Sequence, residues 1–420
     1  MFAVLKRHYP NFNDLLNALP EHRQRLTYEI AEIIMAGLMI FVFKRGSKNN
    51  TDKMFTPGFE SNYIRLFGLR LPVTETVNQF LKKLPPEELE KLKRILIKGL
   101  VKKRALDKFR FNNCLVVAID GTGIFSFDKE PFPGCPHKTS KNGKKTWQAG
   151  LLEAKLICFN GFSLSMETEW YQNSDNIGEK QDCEQKAFVR LARRLKKNYP
   201  RLPIILTADS LYPNDTFFTI CKTNAWDFIL TFKEGCLKSV WEEINLLYPL
   251  EEKDNKQKRV NGKELETTMF ITGLEYKKHR SLGWCEYTRE KIKSGKQERF
   301  VHITNINIDK SNVWEVSYYG RLRWKIENEG FNTQKNQGYN LQHKYAEKDF
   351  NAMQNYYQLL QIAHLINQLV EKLQNIAIEF KQTGRTIKSI WEDAVASMLK
   401  ETLCFRQIQT HNSDKIQLRY

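Results

Sequence analysis

The chain has 420 residues, with 66 Lys or Arg against 48 Asp or Glu, so its formal net charge is +18. Hydrophobic residues make up 41% of the chain, which excludes a disordered polyelectrolyte and suffices for one large core with smaller domains. The basic excess favours a polyanionic partner, above all nucleic acid, over a generic basic protein that its charge keeps soluble.

Three further classes of protein are excluded by short sequence features. The eight cysteines stand singly and form no CxxC pair, which excludes a zinc ribbon or redox pair and is typical of the reducing cytoplasm. The most apolar run, residues 31–43, contains Glu32 and is too short to span a bilayer, so it predicts a buried helix and no membrane anchor. No G-x4-G-K-[ST] loop occurs, so we expect no nucleotide cofactor.

The first half of the chain changes from helical to strand patterns. Residues 1–105 carry apolar residues at three- and four-residue spacing and predict a helical N-terminal domain, which we expect to bind DNA, with a polar loop at residues 44–55. Residues 106–249 alternate strands with helices, including a hairpin that turns at Asn160–Gly161. This order predicts an α/β fold in which helices flank a mixed sheet.

The second half contains an interruption and then helices. Residues 250–308 alternate apolar and polar positions and predict a small β-rich insertion. Residues 309–372 return to helical spacing and are expected to complete the domain that began at residue 106, while residues 373–420 are expected to be a C-terminal helical tail.

Two aspartates follow apolar strands in this pattern. Asp120 comes after the run Leu115–Ile119, and Asp209 comes after residues 202–208. A carboxylate at the end of a buried strand is costly unless something compensates it, and two such ends can converge at one edge of a sheet. Together the two side chains could hold Mg²⁺ or Mn²⁺, which prefer oxygen ligands; the alternative is that each caps a turn.

Three stretches together resemble the acidic motifs of DDE transposases from bacterial insertion sequences. They are "VVAIDGTGIF" around Asp120, "ILTADSLYP" around Asp209 and "RLRWKIENEGFN" around Glu327. Each motif alone is weak, but their order and their strand, strand, insertion and helix contexts match. The resemblance covers residues 106–370 and implies an RNase H-like catalytic core with Glu327 on its last catalytic helix.

The resemblance also implies a reaction and its partners. Asp120, Asp209 and Glu327 would hold two Mg²⁺ or Mn²⁺ ions, water would cut one DNA strand, and the 3′-hydroxyl would then attack the next phosphodiester. The implied partner is double-stranded DNA, both as ends of an insertion element and as target, bound by a homodimer. A domesticated or inactive DNA-binding protein, and an RNase H-like nuclease without strand transfer, remain alternatives.

One group of these transposases carries a Tyr-x2-Arg-x3-Glu-x6-Lys signature around its glutamate. With Glu327 as that glutamate, Arg323 falls at the arginine position. Gly320 and Gln334 occupy the tyrosine and lysine positions, and Tyr319 and Lys335 each lie one residue away. The resemblance implies that Arg323 and Lys335 contact phosphates; the alternative for Arg323 is an i,i+4 pair with Glu327.

A second glutamate, Glu329, competes with Glu327 for the role of metal ligand. On one regular α-helix, at about 100° per residue, the two side chains point about 160° apart. Glu327 then lies on the apolar arc that faces the sheet, whereas Glu329 lies beside Lys325 on the polar arc. Trp324 lies near the apolar arc too, so we favour core packing for it over stacking on an unpaired base.

Overall fold

A mixed ten-stranded sheet organises the part of the chain that the computed structural model describes, which is residues 1–173, 181–373, 376, 378 and 382–403. Its strands are β1 Leu115–Phe127, β2 His137–Thr139, β3 Lys145–Ile157, β4 Ser163–Trp170, β5 Ile204–Ala208, β6 Asp227–Thr231, β7 Gln257–Asn261, β8 Glu264–Tyr276, β9 His279–Lys291 and β10 Gln297–Thr304. The order across the sheet is β2-β3-β1-β5-β6-β10-β9-β8-β7, and β4 pairs with β3.

The central strands have the directions that an RNase H-like sheet requires. β3 runs antiparallel to both β1 and β4, whereas β5 and β6 run parallel to β1. The parallel connections pass through α8 Glu184–Asn198 and α9 Asp215–Asn224. The α/β fold class expected from the sequence, a mixed sheet flanked by helices, is therefore confirmed.

Helices form the N-terminal region, as the apolar spacing predicts. They are α1 Phe2–His8, α2 Phe12–Asn17, α3 Ile30–Val42, α4 Lys48–Met54, α5 Pro57–Phe67, α6 Thr74–Lys83 and α7 Pro86–Lys102. The prediction of a polar loop at residues 44–55 is wrong, because α4 occupies most of that range. The Ser47 hydroxyl accepts a hydrogen bond from the Asn50 amide and caps this helix, which offsets its polar composition.

The apolar helix α3 is a core element. All 13 of its residues are buried, and its side chains join one hydrophobic cluster with those of α7, β4 and the long helix α13 Phe350–Glu371. Within the described residues, no helix is both long enough and apolar enough to cross a membrane.

The β-rich insertion extends the main sheet and does not form a separate sheet. β10 pairs antiparallel with β6, and β9, β8 and β7 follow outward as antiparallel neighbours. Helix α10 Lys238–Asn255 precedes it. Because β10 adds directly to β6, the insertion is held rigidly beside the carboxyl ends of the parallel strands.

Further helical segments follow β10. They are α11 Val313–Arg321, a π-helical segment Ile326–Asn332, α12 Thr333–Asn336, α13, and α14 Ile387–Lys400. Side chains from α11 and the π-helical segment form an apolar cluster with Val116, Ala118 and Ile205 of β1 and β5. This cluster fixes α11 and the π-helical segment against one face of the two strands that lead to Asp120 and Asp209.

Candidate active site

The pairing of β1 with β5 brings Asp120 and Asp209 level with each other. Their parallel register places Ala118 opposite Thr207, so the next residues on the same face are Asp120 and Asp209. Neighbouring strands lie about 4.8 Å apart, which sets the scale of the separation between these two positions. β1 does not end at Asp120, as the sequence suggested, but continues to Phe127 with Asp120 opposite Glu153 of β3.

Each aspartate is held by a local hydrogen bond. The Asp120 Oδ1 atom accepts from the Gly121 amide at 3.0 Å, and the Asp209 Oδ1 atom accepts from the Leu211 amide at 2.8 Å. The turn-capping alternative therefore describes part of what Asp209 does. In each carboxylate the second oxygen remains available for another ligand.

Glu327 lies on the π-helical segment, and this corrects the regular α-helix expected there. The α-helix α11 ends at Arg321 and a π-helix begins at Ile326. The angle of about 160° between the Glu327 and Glu329 side chains assumed one regular α-helix, so it does not hold here. π-Helical turns are rare and are frequent at functional sites. The segment packs tightly at Gly330, where an added Cβ would lie 2.9 Å from the Ser163 hydroxyl of β4.

Arg323 joins two of the predicted carboxylates. Its guanidinium contacts the Glu327 Oε1 atom at 3.0 Å and lies 3.8 Å from the Asp120 Oδ2 atom. The i,i+4 pair of Arg323 with Glu327 considered from the sequence is therefore present, with the Arg323 side chain only 7% exposed and the Glu327 side chain 38% exposed. Arg323 thus draws Glu327 toward Asp120 and offsets part of their negative charge.

The pKa of Asp120 reflects both the burial of its side chain and the charges around it. Burial raises it, Arg323 opposes that rise, and the nearby charges of Glu327, Glu184 and Asp209 raise it further, to about 7. Asp120, Asp209 and Glu327, which come from three distant stretches of sequence, therefore interact electrostatically at one place. A carboxyl with so high a pKa gains from a cation that stabilises its ionised form.

Glu184 is a fourth carboxylate that the sequence reasoning missed. It begins α8 and approaches the edge from the other face of the sheet, where its Oε2 atom would lie 2.9 Å from a Cβ added to Gly121. The Tyr212 hydroxyl donates a hydrogen bond to its Oε1 atom at 2.8 Å. Burial raises the pKa of Glu184, and the charge of Asp209 adds to the effect.

The donor chemistry of the cluster fits a hard divalent cation. Its ligating atoms are carboxylate oxygens, which Mg²⁺ and Mn²⁺ prefer, and the charges of Glu327, Glu184 and Asp209 add to burial in raising the pKa of Asp120. In the described residues, however, no three Asp, Glu, His or Cys side chains stand close enough to form a ligand set. The carboxylates thus supply oxygen ligands of the right kind, but they stand farther apart than in a ligand set. Arg323 offsets part of their negative charge.

The other glutamate, Glu329, points to a different part of the molecule. Its Oε1 atom pairs with the Lys325 ammonium at 2.5 Å, and its Cγ atom lies 3.7 Å from the position of a Cβ on Gly161. Gly161 lies in the turn between β3 and β4, away from Asp120. The expected pairing of Glu329 with Lys325 is observed, although the pair is only partly exposed.

The remaining predicted residues lie around the acidic cluster. Tyr319 stacks on Phe111, with ring centroids 4.3 Å apart. A tyrosine at Gly320 would not fit, because even a Cβ there would lie 2.6 Å from the buried His302 ring. Lys335 is partly exposed on α12, whereas Gln334 is buried and donates to Gln361 at 2.9 Å, so the signature lysine position is part of the core.

Trp324 corrects a second expectation. Core packing was favoured for it, but the structure leaves 49% of this residue exposed, with the Arg323 guanidinium 4.8 Å from its ring centroid. Trp324 is therefore a surface aromatic beside the acidic cluster, as the base-stacking alternative requires.

The chain is distantly similar to a solved structure. No protein-family model and no curated protein matches the chain. Among solved structures, it is similar to the piggyBac transposase in a cryo-EM structure of a synaptic complex with hairpin DNA. The identity is 10% and the TM-score 0.42, over 98% of this chain and 84% of that one. A likeness at this level identifies no family, so the functional argument rests on the residues described above.

Proposed function

We propose that this protein is a DDE transposase, which cuts DNA at the ends of an insertion element and joins the 3′ ends to target DNA. The observation that carries the proposal is that Arg323 contacts Glu327 and lies close to Asp120, while the β1–β5 register brings Asp209 level with Asp120. Carboxylates near one edge of a sheet repel one another, and a bound cation offsets that repulsion.

The proposed division of roles follows the positions of the side chains. Asp120, Asp209 and Glu327 would hold two Mg²⁺ or Mn²⁺ ions. When bound, such ions activate a water or a 3′-hydroxyl as nucleophile and stabilise the leaving oxygen. Arg323 orients Glu327 and limits repulsion among the carboxylates. Trp324, which is exposed beside the cluster, is available to stack on an unpaired base near the cut.

The proposed partners are double-stranded DNA and a second copy of the chain. Joining two element ends to one target needs two catalytic centres, so we propose a homodimer in the DNA complex. Lys335 on α12 is partly exposed, eight residues past Glu327, and is proposed to contact a phosphate.

The test is cleavage by the purified wild-type protein of duplexes taken from the flanks of its gene. With Mg²⁺ or Mn²⁺, we expect strand cuts at the boundaries of terminal inverted repeats, followed by joined products when target DNA is added. EDTA should abolish both steps, and Asp209→Asn should remove both without changing DNA binding. No cutting on correct ends would contradict the proposal, and cutting without joining would favour a nuclease.

A DNA-binding protein without catalysis is the second candidate, and the position of Arg323 favours it. A buried guanidinium beside Glu327 and Asp120 stabilises an acidic cluster even when no cation binds. The two functions differ in their response to Mn²⁺. Calorimetric titration should detect stoichiometric binding to the wild type if the protein is a transposase, and none if Arg323 is the permanent counter-charge.

Glu184→Gln should weaken cation binding by about 10- to 100-fold, the range usual for groups around a metal site. Glu184 contributes negative charge beside Asp120 and Asp209, so its loss leaves the cations less well held. We expect cleavage to fall at low Mn²⁺ and to recover as Mn²⁺ is raised. Calorimetry for affinity, and cleavage rate against Mn²⁺ concentration, measure the two effects.

A matched control is Glu242→Gln, which removes one exposed carboxylate from α10. This variant should bind Mn²⁺ as the wild type does. If Glu184→Gln folds normally and also keeps the wild-type affinity, Glu184 has no part in the site and serves only to anchor Tyr212.

A further inference from the structure

A strongly basic hairpin joins β2 and β3, and β3 pairs with the strand that carries Asp120. β2 and the start of β3 form an antiparallel pair, with a turn closed by the hydrogen bond from the Gly143 amide to the Ser140 carbonyl at 2.9 Å. Residues 138–145 are all exposed, and none of them is acidic. Four of these eight residues are lysines, namely Lys138, Lys141, Lys144 and Lys145. We call residues 138–145 the basic hairpin.

The sheet places the basic hairpin at the same end as the carboxylates. β1 runs from Leu115 past Asp120 to Phe127, which pairs with Trp147 just after the hairpin. β5 is parallel to β1 and ends immediately before Asp209. β3 then returns from Lys145 to Glu153, the partner of Asp120, over eight residues or about 26 Å at 3.3 Å per residue.

A second basic turn lies at this end of the sheet, on the other side of the carboxylates. β10 is antiparallel to β6, so β10 begins where the parallel strands end, and the turn before it contains exposed Lys291, Lys293 and Lys296. Between β3 and β10, the nearest strands of the two basic turns, there are four strand-to-strand steps, which is about 19 Å at 4.8 Å per step. A ligand that touches both basic turns must therefore be wide as well as anionic.

We propose that the basic hairpin is a DNA-contacting arm that holds the phosphates of a duplex about 25 Å from the carboxylates. Since duplex DNA rises about 3.4 Å per base pair, this places the contacts roughly seven base pairs from the cut. The proposal rests on the proposed function, because it names the duplex that reaches the acidic cluster. It adds a binding surface that lies outside that cluster.

The composition of the arm favours duplex over single-stranded nucleic acid. Proteins that bind single strands present aromatic side chains on which bases stack, and residues 138–145 include no aromatic residue. The nearest tryptophan, Trp147, is half-buried near the start of β3 beside His137, with ring centroids 5.8 Å apart. The arm thus offers point charges for phosphates and no platform for a base.

One of the four lysines has an acidic neighbour on the surface. Lys144 pairs with Asp128 at 3.2 Å, and both side chains are more than 70% exposed. An exposed pair of this kind contributes little stability and is readily exchanged for a phosphate contact. Three or four phosphate contacts are therefore expected of the hairpin.

The experiment measures duplex affinity against salt concentration in EDTA, where no cleavage occurs. The variant replaces all four lysines by glutamine (K138Q, K141Q, K144Q and K145Q). Each lost phosphate contact lowers the slope of log K against log salt by about 0.9, so the slope should fall by about 3 to 4. Arginine at the same four positions keeps the charge and should restore the slope.

The matched control removes the same charge at the opposite end of the sheet. The control variant replaces four exposed lysines that lie near the end of the sheet opposite the carboxylates, namely Lys197, Lys222, Lys253 and Lys310. Their replacement by glutamine should leave the slope unchanged. An equal fall in the control, or none in the hairpin variant, would overturn the proposal, as would an equal loss of affinity for single-stranded DNA or RNA.

The DNA-contacting arm and the transposase function can be contradicted separately. If the hairpin variant lowers the salt slope but the wild type cuts no DNA with Mg²⁺ or Mn²⁺, the arm stands and the transposase function falls. If the wild type cuts DNA while the hairpin variant keeps the full slope, the function stands and the arm is wrong.

Discussion

Glu327→Gln should lower the rate of DNA cleavage at least about 100-fold, while Glu329→Gln should leave it within a few-fold of the wild type. Loss of a residue that only supports a metal ligand costs about 10- to 100-fold, and loss of a ligand costs at least as much. Glu327 is drawn toward Asp120 by Arg323, whereas Glu329 pairs with Lys325 beside the β3–β4 turn. The measurement is single-turnover cleavage of end DNA at saturating Mn²⁺.

The two variants control for each other, because both replace a partly buried glutamate of the same π-helical turn with glutamine. Their side chains are 38% and 29% exposed, so the cost of burial is similar in both. Glu329→Gln also removes the ion-pair partner of Lys325. We expect that loss to lower the thermal stability and to leave the cleavage rate unaffected. Full cleavage by the Glu327 variant together with loss in the Glu329 variant would refute the assignment of the third carboxylate.

The sequence predicted the parts of the site that depend on local patterns. Residues 115–119 and 202–208 are apolar runs closed by an aspartate, and such runs indicate buried strands wherever they occur. Once both strands are parallel neighbours, their aspartates must lie at one edge. The register that makes Asp120 and Asp209 level depends on contacts across the sheet, so only the structure provides it.

The helical part of the site was less predictable because its shape depends on distant residues. The stretch from Arg321 to Gly330 has good α-helical spacing, yet the α-helix ends at Arg321 and a π-helix begins at Ile326. The close approach of Gly330 to Ser163 and Lys155, on β4 and β3, accompanies this change.

Glu184 shows a different limit of sequence reasoning. An acidic residue in the first turn of a helix is favourable at almost any helix N-terminus, so its presence in α8 indicates nothing special. What distinguishes Glu184 is the packing of α8 beside Tyr212 and Gly121, which no local pattern encodes. One sequence feature does connect Glu184 with the site, because α8 leads directly into the strand that ends just before Asp209.

Asp120→Asn should make the cation-free protein more stable than the wild type at pH 8, by up to about 4 kcal/mol for a pKa shift of about three units. Burial first, and then the neighbouring carboxylates, raise the pKa of Asp120 from 3.8 to about 7, against the effect of Arg323. Because the folded protein binds this proton more tightly, the stabilising contribution is complete below pH 3.8 and is lost as pH rises through 7. Asparagine cannot ionise and avoids that loss.

Urea unfolding in EDTA at pH 5 and pH 8 measures this difference, which should be much smaller at pH 5, where Asp120 is mostly protonated in the folded protein. Adding Mn²⁺ at pH 8 should then reverse the order. A cation at a hundred times its dissociation constant stabilises the wild type by about 2.7 kcal/mol, and Asp120→Asn lacks a carboxylate to bind it. A variant that is less stable than the wild type in EDTA at pH 8 would mean that Arg323 compensates the ionised Asp120 fully. The acidic cluster would then need no cation, and the protein would be better described as a DNA-binding protein than as a transposase.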